Sequence, residues 1–109
     1  MIEALVGSLN CERVLVFLQA RGEGYAREIA DFYATDLMPI QRQLEKLENG
    51  GILFSRNVGR TRLFGFNPRW PFLKELRALL EKVVSFYDED QQERLLMNRR
   101  RPRLRGKPL

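Results

Sequence analysis

A chain of 109 residues, 44% apolar and 30% charged, can bury one hydrophobic core and not two, and its composition is far from that of a disordered polymer. It has no run of about 18 apolar residues, which excludes a membrane-spanning helix, while one cysteine and no histidine exclude an internal disulfide, a CxxC motif and any histidine-dependent triad. The formal charge of +5 points to a polyanionic partner only where it belongs to the folded body.

Its distribution is uneven. Seven of the 19 basic residues lie between Arg94 and Leu109 with no acid among them, so residues 1–93 hold 12 basic side chains against 14 acidic ones. The informative signal is local: Arg56, Arg60, Arg62 and Arg69 fall between Phe54 and Trp70 without an acid, whereas Asp88, Glu89, Asp90 and Glu93 cluster just before the tail. The N-terminus lacks the basic, apolar, small-residue order of a secretory signal, and the expected location is cytoplasmic.

In chain order, Cys11, Val14, Leu15 and Leu18 recur at the spacing of one helix face, with Ser8 or Asn10 able to cap the start and Gly22 able to close the end. Tyr25 to Tyr33 predicts a short second helix, with Ile29 and Phe32 three apart and Ala26 and Ala30 four apart. A third helix is expected over 36–49: Asp36 is a good N-cap for its orphan amides, Pro39 falls in the first turn where its missing N–H costs no intrahelical bond, and Gly50-Gly51 ends it. Its buried stripe is Leu37, Ile40, Leu44 and Leu47. Residues 52–58 and 61–66, rich in β-branched and aromatic side chains, flank Gly59-Arg60 and predict a β-hairpin. Asn67-Pro68 breaks the strand, Pro71 opens a last long helix over about 71–87, and Leu95, Leu96 and Met97 suggest a short helix at the start of the tail.

Two helices joined by a short turn and followed directly by a hairpin make a helix-turn-helix with a wing. The stretch "GYAREIADFYATDLMPIQRQLEKLENGGILFSRNVGRTRLFGFNP" resembles the winged-helix transcriptional regulators, and its "PIQRQLEKLENGGIL" helix with the "GRTRLFGF" wing is most similar to their ArsR-like branch. The following "NPRWPFLKELRALLEK" is similar to winged-helix modules associated with minimal nucleotidyltransferases. The resemblance, which covers about residues 8–87, implies an α+β, mainly α fold, a winged helix-turn-helix with a C-terminal dimerisation helix; the domain is expected over residues 1–92, and the basic tail over 93–109 lies outside the resemblance. It implies a sequence-specific regulator of double-stranded DNA, acting as a repressor and a homodimer and not as an enzyme, with helix 36–49 in the major groove and wing 52–66 on the flanking minor groove or phosphates.

The residues can be matched to those roles. Opposite the apolar stripe of helix 36–49 stand Met38, Arg42, Lys46 and Asn49, with Pro39 and Gln41 at the margins. Arg42 can donate twice to guanine, Gln41 or Gln43 can pair with adenine, and Met38 or Pro39 can touch a thymine methyl. On the wing, Arg60 at the tip with Arg56, Asn57 and Arg62 beside it would meet phosphates or the narrow minor groove, and Tyr25 and Arg27 would anchor the backbone from the second helix. The competing readings are a solvated helix face and an edge charged to deter sheet pairing.

Leu73, Leu76, Leu80, Val83 and Tyr87 repeat at alternating spacings of three and four, and Phe72, Leu79 and Val84 widen the surface. That excess is expected to pack on a second copy. Cys11 lies on the apolar stripe of the first helix and reads as a buried thiol, and with no histidine neither a metal site nor any other cofactor is expected. The alternative function is a winged-helix interaction module, an adaptor or antitoxin-like partner of a nucleotidyltransferase, using the apolar last helix while the arginines stay silent.

Overall fold

The computed structural model describes residues 1–97. Its elements are α1 (Glu3–Val6), α2 (Leu9–Arg21), β1 (Glu23–Tyr25), α3 (Ala26–Phe32), α4 (Leu37–Asn49), β2 (Leu53–Val58), β3 (Thr61–Phe66), α5 (Leu73–Ser85) and α6 (Glu89–Leu96). Five consecutive buried residues, Val14 to Leu18, make α2 the axis of the structure. One apolar stripe was expected there; Val16 and Phe17 are also buried because α4, α5, α6 and the sheet surround the helix rather than cover one side. Onto this axis pack Ile29 and Ala30 of α3, Ile40, Leu44 and Leu47 of α4, Phe64 and Phe66 of the sheet, and Leu80, Val83 and Leu95 of the last two helices. Each large side chain so buried contributes about 1.5–3 kcal/mol.

The sheet has the order β1-β3-β2, antiparallel throughout, with Gly24 opposite Phe64 on one side and Arg56 opposite Leu63 on the other. Strand β1 is not visible in the sequence, where its residues read as a turn. It is three residues long and exists because β3 pairs with it, a tertiary effect that local propensity does not report. At Gly24 a Cβ would stand 2.9 Å from the Phe17 ring, so only glycine lets this strand close on α2. The hairpin turns at Gly59, whose φ of 63° lies in the left-handed region.

Ser8 caps α2 as expected, its Oγ accepting from the Cys11 amide at 3.0 Å. Asp36 occupies the N-cap position of α4 with an extended backbone, but its side chain makes no capping bond. Pro39 explains part of this: it stands third in the helix, where a capping carboxylate would look for an N–H that proline lacks. The α3–α4 turn contains Ala34 at φ 52°, the one non-glycine with positive φ among the described residues.

Two buried charged side chains tie other elements to α2, Glu12 in its first turn and Arg21 in its last. The Glu12 carboxylate, 3% exposed, accepts from the Ile2 amide at 2.7 Å, the Met1 amine at 2.8 Å and the Tyr87 hydroxyl at 3.1 Å. Arg21, its side chain 4% exposed, donates to the Leu95 and Arg94 carbonyls at 2.9 and 3.0 Å and stacks on Phe17 and Phe32. Helix α6 thus runs across residues 92 and 93, where the tail was expected to begin, and buries Leu95. The remainder of the basic tail lies outside the described residues. The architecture, mainly helical with a small antiparallel sheet, is that of a winged helix.

Candidate nucleic-acid interface

Helix α4 carries its apolar side inward and turns Met38, Arg42, Glu45 and Asn49 to solvent, with Met38 57% exposed. Strands β2 and β3 project beyond it and end in Arg60. Between them, the start of α3 closes a cleft of about 290 Å³ lined by Tyr25, Ala26, Arg27, Leu37, Gln41, Leu44, Glu45, Arg60, Thr61, Arg62 and Phe64. Its floor is apolar (Ala26, Leu37, Leu44, Phe64), and its rim holds three arginines from two parts of the chain, Arg27 of α3 and Arg60 and Arg62 of the hairpin. The start of α3 is held by Glu28, which reaches back to accept from the Tyr25 amide at 3.2 Å and so fixes where Tyr25 and Arg27 enter the cleft.

Five of the expected site residues, Tyr25, Arg27, Gln41, Arg60 and Arg62, meet in this one concavity. Met38 and Arg42 stand beside it on the open face of α4. Arg27, Arg42 and Arg60 make no ion pair with any described residue, which leaves their charge available to an external anion.

Other expected contacts lie elsewhere. Lys46 was placed among the base readers, but its Nζ donates back to the Val6 carbonyl at 3.5 Å, toward the α1–α2 junction. Gln43 turns toward the protein, its Oε1 buried and without a hydrogen-bond partner among the described residues. At 100° per residue it falls next to the Ile40–Leu47 side of the helix rather than opposite it. Pro39 is half-buried. On the wing, Arg56 pairs with Glu23 at 3.7 Å, and it shares with Asn57, Ser55, Glu48 and Arg62 a shallow depression apart from the cleft. Arg62 donates to Glu48 at 2.8 Å and to Ser55 at 2.7 Å.

Glu45, not among the expected site residues, is exposed and lines the cleft with the wing. A carboxylate there can accept from a cytosine amino group. The i+4 step from Gln41, already a marginal candidate, was the signal that pointed to it.

The residues expected to meet a second chain are largely spent within this one. Leu80 and Val83 are buried in the core, and Leu73, Leu76 and Tyr87 are half-buried against it. The reason is the central α2, which needs cover on the side that α5 supplies. Phe72 and Phe86, at the two ends of α5, stay exposed. Among the described residues no group of three or more Cys, His, Asp or Glu is placed to hold a metal. Cys11 is in the core, and burial pushes its thiol above the ordinary value, with Lys46 pulling weakly the other way. No helix among the described residues is long and apolar enough to cross a membrane.

The sequence matches no protein-family model and no curated protein. Solved structures do match. An apo-form variant of ZitR from Lactococcus lactis aligns with a TM-score of 0.54 at 19% identity, over 78% of this chain and 73% of that one. The adhesin competence repressor AdcR of Streptococcus pyogenes gives 0.55 at 11% identity, over 84% and 72%. Wild-type ZitR in complex with DNA gives 0.51 at 15% identity, over 85% and 71%, and ZitR is a zinc-responsive MarR family member. At these identities the likeness shows the winged-helix fold. No ArsR-like protein and no nucleotidyltransferase is among these three, so neither of those finer expectations gains support from them.

Proposed function

We propose that the chain is a sequence-specific, double-stranded DNA-binding transcriptional regulator, a cytoplasmic repressor that acts as a dimer. It lays α4 in the major groove and the wing tip on the flanking minor groove or phosphates. The observation that carries the reading is the cleft itself: Arg27, Gln41 and Arg60 converge from α3, α4 and the wing, beside an α4 face on which Met38, Arg42 and Glu45 are open to a base edge. That combines backbone cations with base-reading groups in one surface. A neighbour of the same fold is bound to DNA, which agrees with this use of the surface. The ArsR-like affinity rests on the "PIQRQLEKLENGGIL" and "GRTRLFGF" segments alone. Dimerisation through α5 rests on the family resemblance alone, since Leu80 and Val83 are committed to the core of this chain.

The test is selection of bound duplexes from a random DNA pool by the full chain at near-physiological salt. A two-fold motif with half-sites about one helical turn apart is expected, and Arg42→Ala should weaken binding to it by about 1–3 kcal/mol while relaxing preference at one position. Recovery of no motif would sink the reading. So would an Arg42→Ala chain that binds as tightly as the original, the result the adaptor or antitoxin-like alternative requires.

A further inference from the structure

The three wing arginines look equivalent in the sequence and are not equivalent in the structure. Arg60 stands at the hairpin tip with no ion pair to a described residue. Arg62 closes a triangle: its Nη2 donates to Glu48 Oε1 at 2.8 Å and to Ser55 Oγ at 2.7 Å, and Ser55 Oγ donates to Glu48 Oε2 at 2.7 Å. Its guanidinium also lies 5.4 Å from the centre of the Phe64 ring. The triangle joins three elements, since Glu48 belongs to the last turn of α4, Ser55 to β2 and Arg62 to β3. Both carboxylate oxygens are used, which sets this pair apart from an isolated surface ion pair of little worth. Arg56 is drawn across the central strand to Glu23.

We infer that each wing delivers one cation to the DNA backbone, Arg60, and that Arg62 is a positioning residue that fixes the wing to the recognition helix through Glu48 and Ser55. The inference rests on the DNA-binding reading and refines it. A wing two residues past its anchor can keep a set height over the α4 face only if the strand pair cannot rock. The Glu48–Ser55–Arg62 triangle is the polar contact that ties both strands to that helix. Removing Arg62 therefore lowers affinity through geometry, whereas removing Arg60 lowers it through charge.

The two roles separate in the salt dependence of binding to a mixed-sequence duplex, measured with the full chain. Arg60→Ala should reduce the slope of log K against log salt by about 0.9 per wing, the signature of one lost phosphate contact. Arg62→Ala should weaken binding roughly threefold to tenfold with the slope unchanged, and Arg56→Ala should leave the slope unchanged as well. Arg62→Lys keeps the charge but not the planar fork, so it should resemble Arg62→Ala. Glu48→Gln is the sharpest arm, because deleting an acid beside a polyanion should tighten binding if only charge matters and should weaken it if the triangle matters. A slope lowered by Arg62→Ala, full retention of affinity by Arg62→Lys, or tighter binding by Glu48→Gln would each overturn the inference. Hydrogen exchange of the β2 and β3 amides without DNA gives an independent readout. It should quicken in Arg62→Ala and Glu48→Gln and not in Arg60→Ala, and equal exchange in all three would dispose of the brace. Failure of the unaltered chain to bind any duplex would instead remove the DNA reading, and the count of one cation with it, while the exchange data still decide whether the wing is tied to α4.

Discussion

Charged side chains on α2 and at the cleft live in opposite circumstances. Near the α1–α2 junction Glu12 is buried and accepts three hydrogen bonds, and at the α2–α6 contact Arg21 is buried and donates to two carbonyls while stacked on two rings. At the cleft, Arg27, Arg42 and Arg60 are exposed and unpaired with any described residue, and Arg62 is in between, half committed to Glu48 and Ser55. Burying a charge is costly unless its partners are in place, so the two buried charges on α2 are structural. Exposed cations that ignore nearby acids cost little to maintain and are free to bind. Stability and recognition are thereby assigned to different residues, and mutations in one set should leave the other property untouched.

Glu12→Ala should show the largest effect. It strips the partner from the Tyr87 hydroxyl and the Ile2 amide and opens a gap beside the core, at a cost of about 2–3 kcal/mol, read from chemical denaturation. DNA affinity, measured well below the new midpoint, should not change; a loss there would break the division between the buried and the exposed charges. Arg21→Ala comes next, at about 2 kcal/mol, because the aliphatic stem, the stacked guanidinium and the carbonyl contacts to α6 all go together. Faster hydrogen exchange confined to α6 and the end of α2 is the expected local signature.

Alkaline pH probes the surroundings of Glu12 and Arg13 by titration. Burial pushes the Tyr87 phenol up to about 12, with the Glu12 carboxylate adding to the shift, and burial raises the Tyr33 phenol as well. In the unfolded chain both would ionise near the ordinary value of about 10. A raised pKa means that the neutral form is favoured in the fold, so this contribution is intact below about pH 10 and is lost as pH rises through 12. Tyrosinate absorbance should therefore appear together with unfolding, and Tyr87→Phe should move that transition to higher pH. A shift in the other direction would mean that the lost hydrogen bond to Glu12 outweighs the relief of desolvation.

The same division between buried and exposed charges bears on what the sequence disclosed. Periodicity located α2, α4, both hairpin strands and α5, because each buries a regular stripe or flanks a glycine turn. It did not disclose β1, whose three residues are strand only by pairing with β3, nor α1. At the site, composition placed the cationic wing correctly but gave Arg56, Arg60 and Arg62 the same role, since a sequence cannot show that Glu23 and Glu48 lie opposite two of them. Lys46 was assigned to the groove because an outward angle on a helix does not say where a long side chain leans, and Gln43 because its amide suits adenine although its angle lies beside the buried stripe. Glu12 was invisible for the converse reason: nothing in the spacing of an acid on α2 shows that the chain start and Tyr87 converge on it.

The smallest expected effect lies in the turn between the two helices of the helix-turn-helix. Ala34 is held at φ 52° by hydrogen bonds from its own amide to Asp31 and from the Thr35 amide to Ala30, at 3.1 and 3.0 Å. A Cβ in this conformation costs about 1–2 kcal/mol, which glycine avoids. Glycine also has more freedom to lose on folding, roughly 0.5–1 kcal/mol, so Ala34→Gly should stabilise the chain by only about 0.5 kcal/mol. For a domain of this size that is roughly 2–4 °C in Tm. The angle between α3 and α4 is set by Ile29, Ala30, Ile40 and Leu44 in the core rather than by the turn, so DNA affinity should stay level while Tm rises. A rise in Tm accompanied by weaker binding would show instead that the strained alanine helps to aim α4, and the separation of stability from recognition would then fail at this one residue.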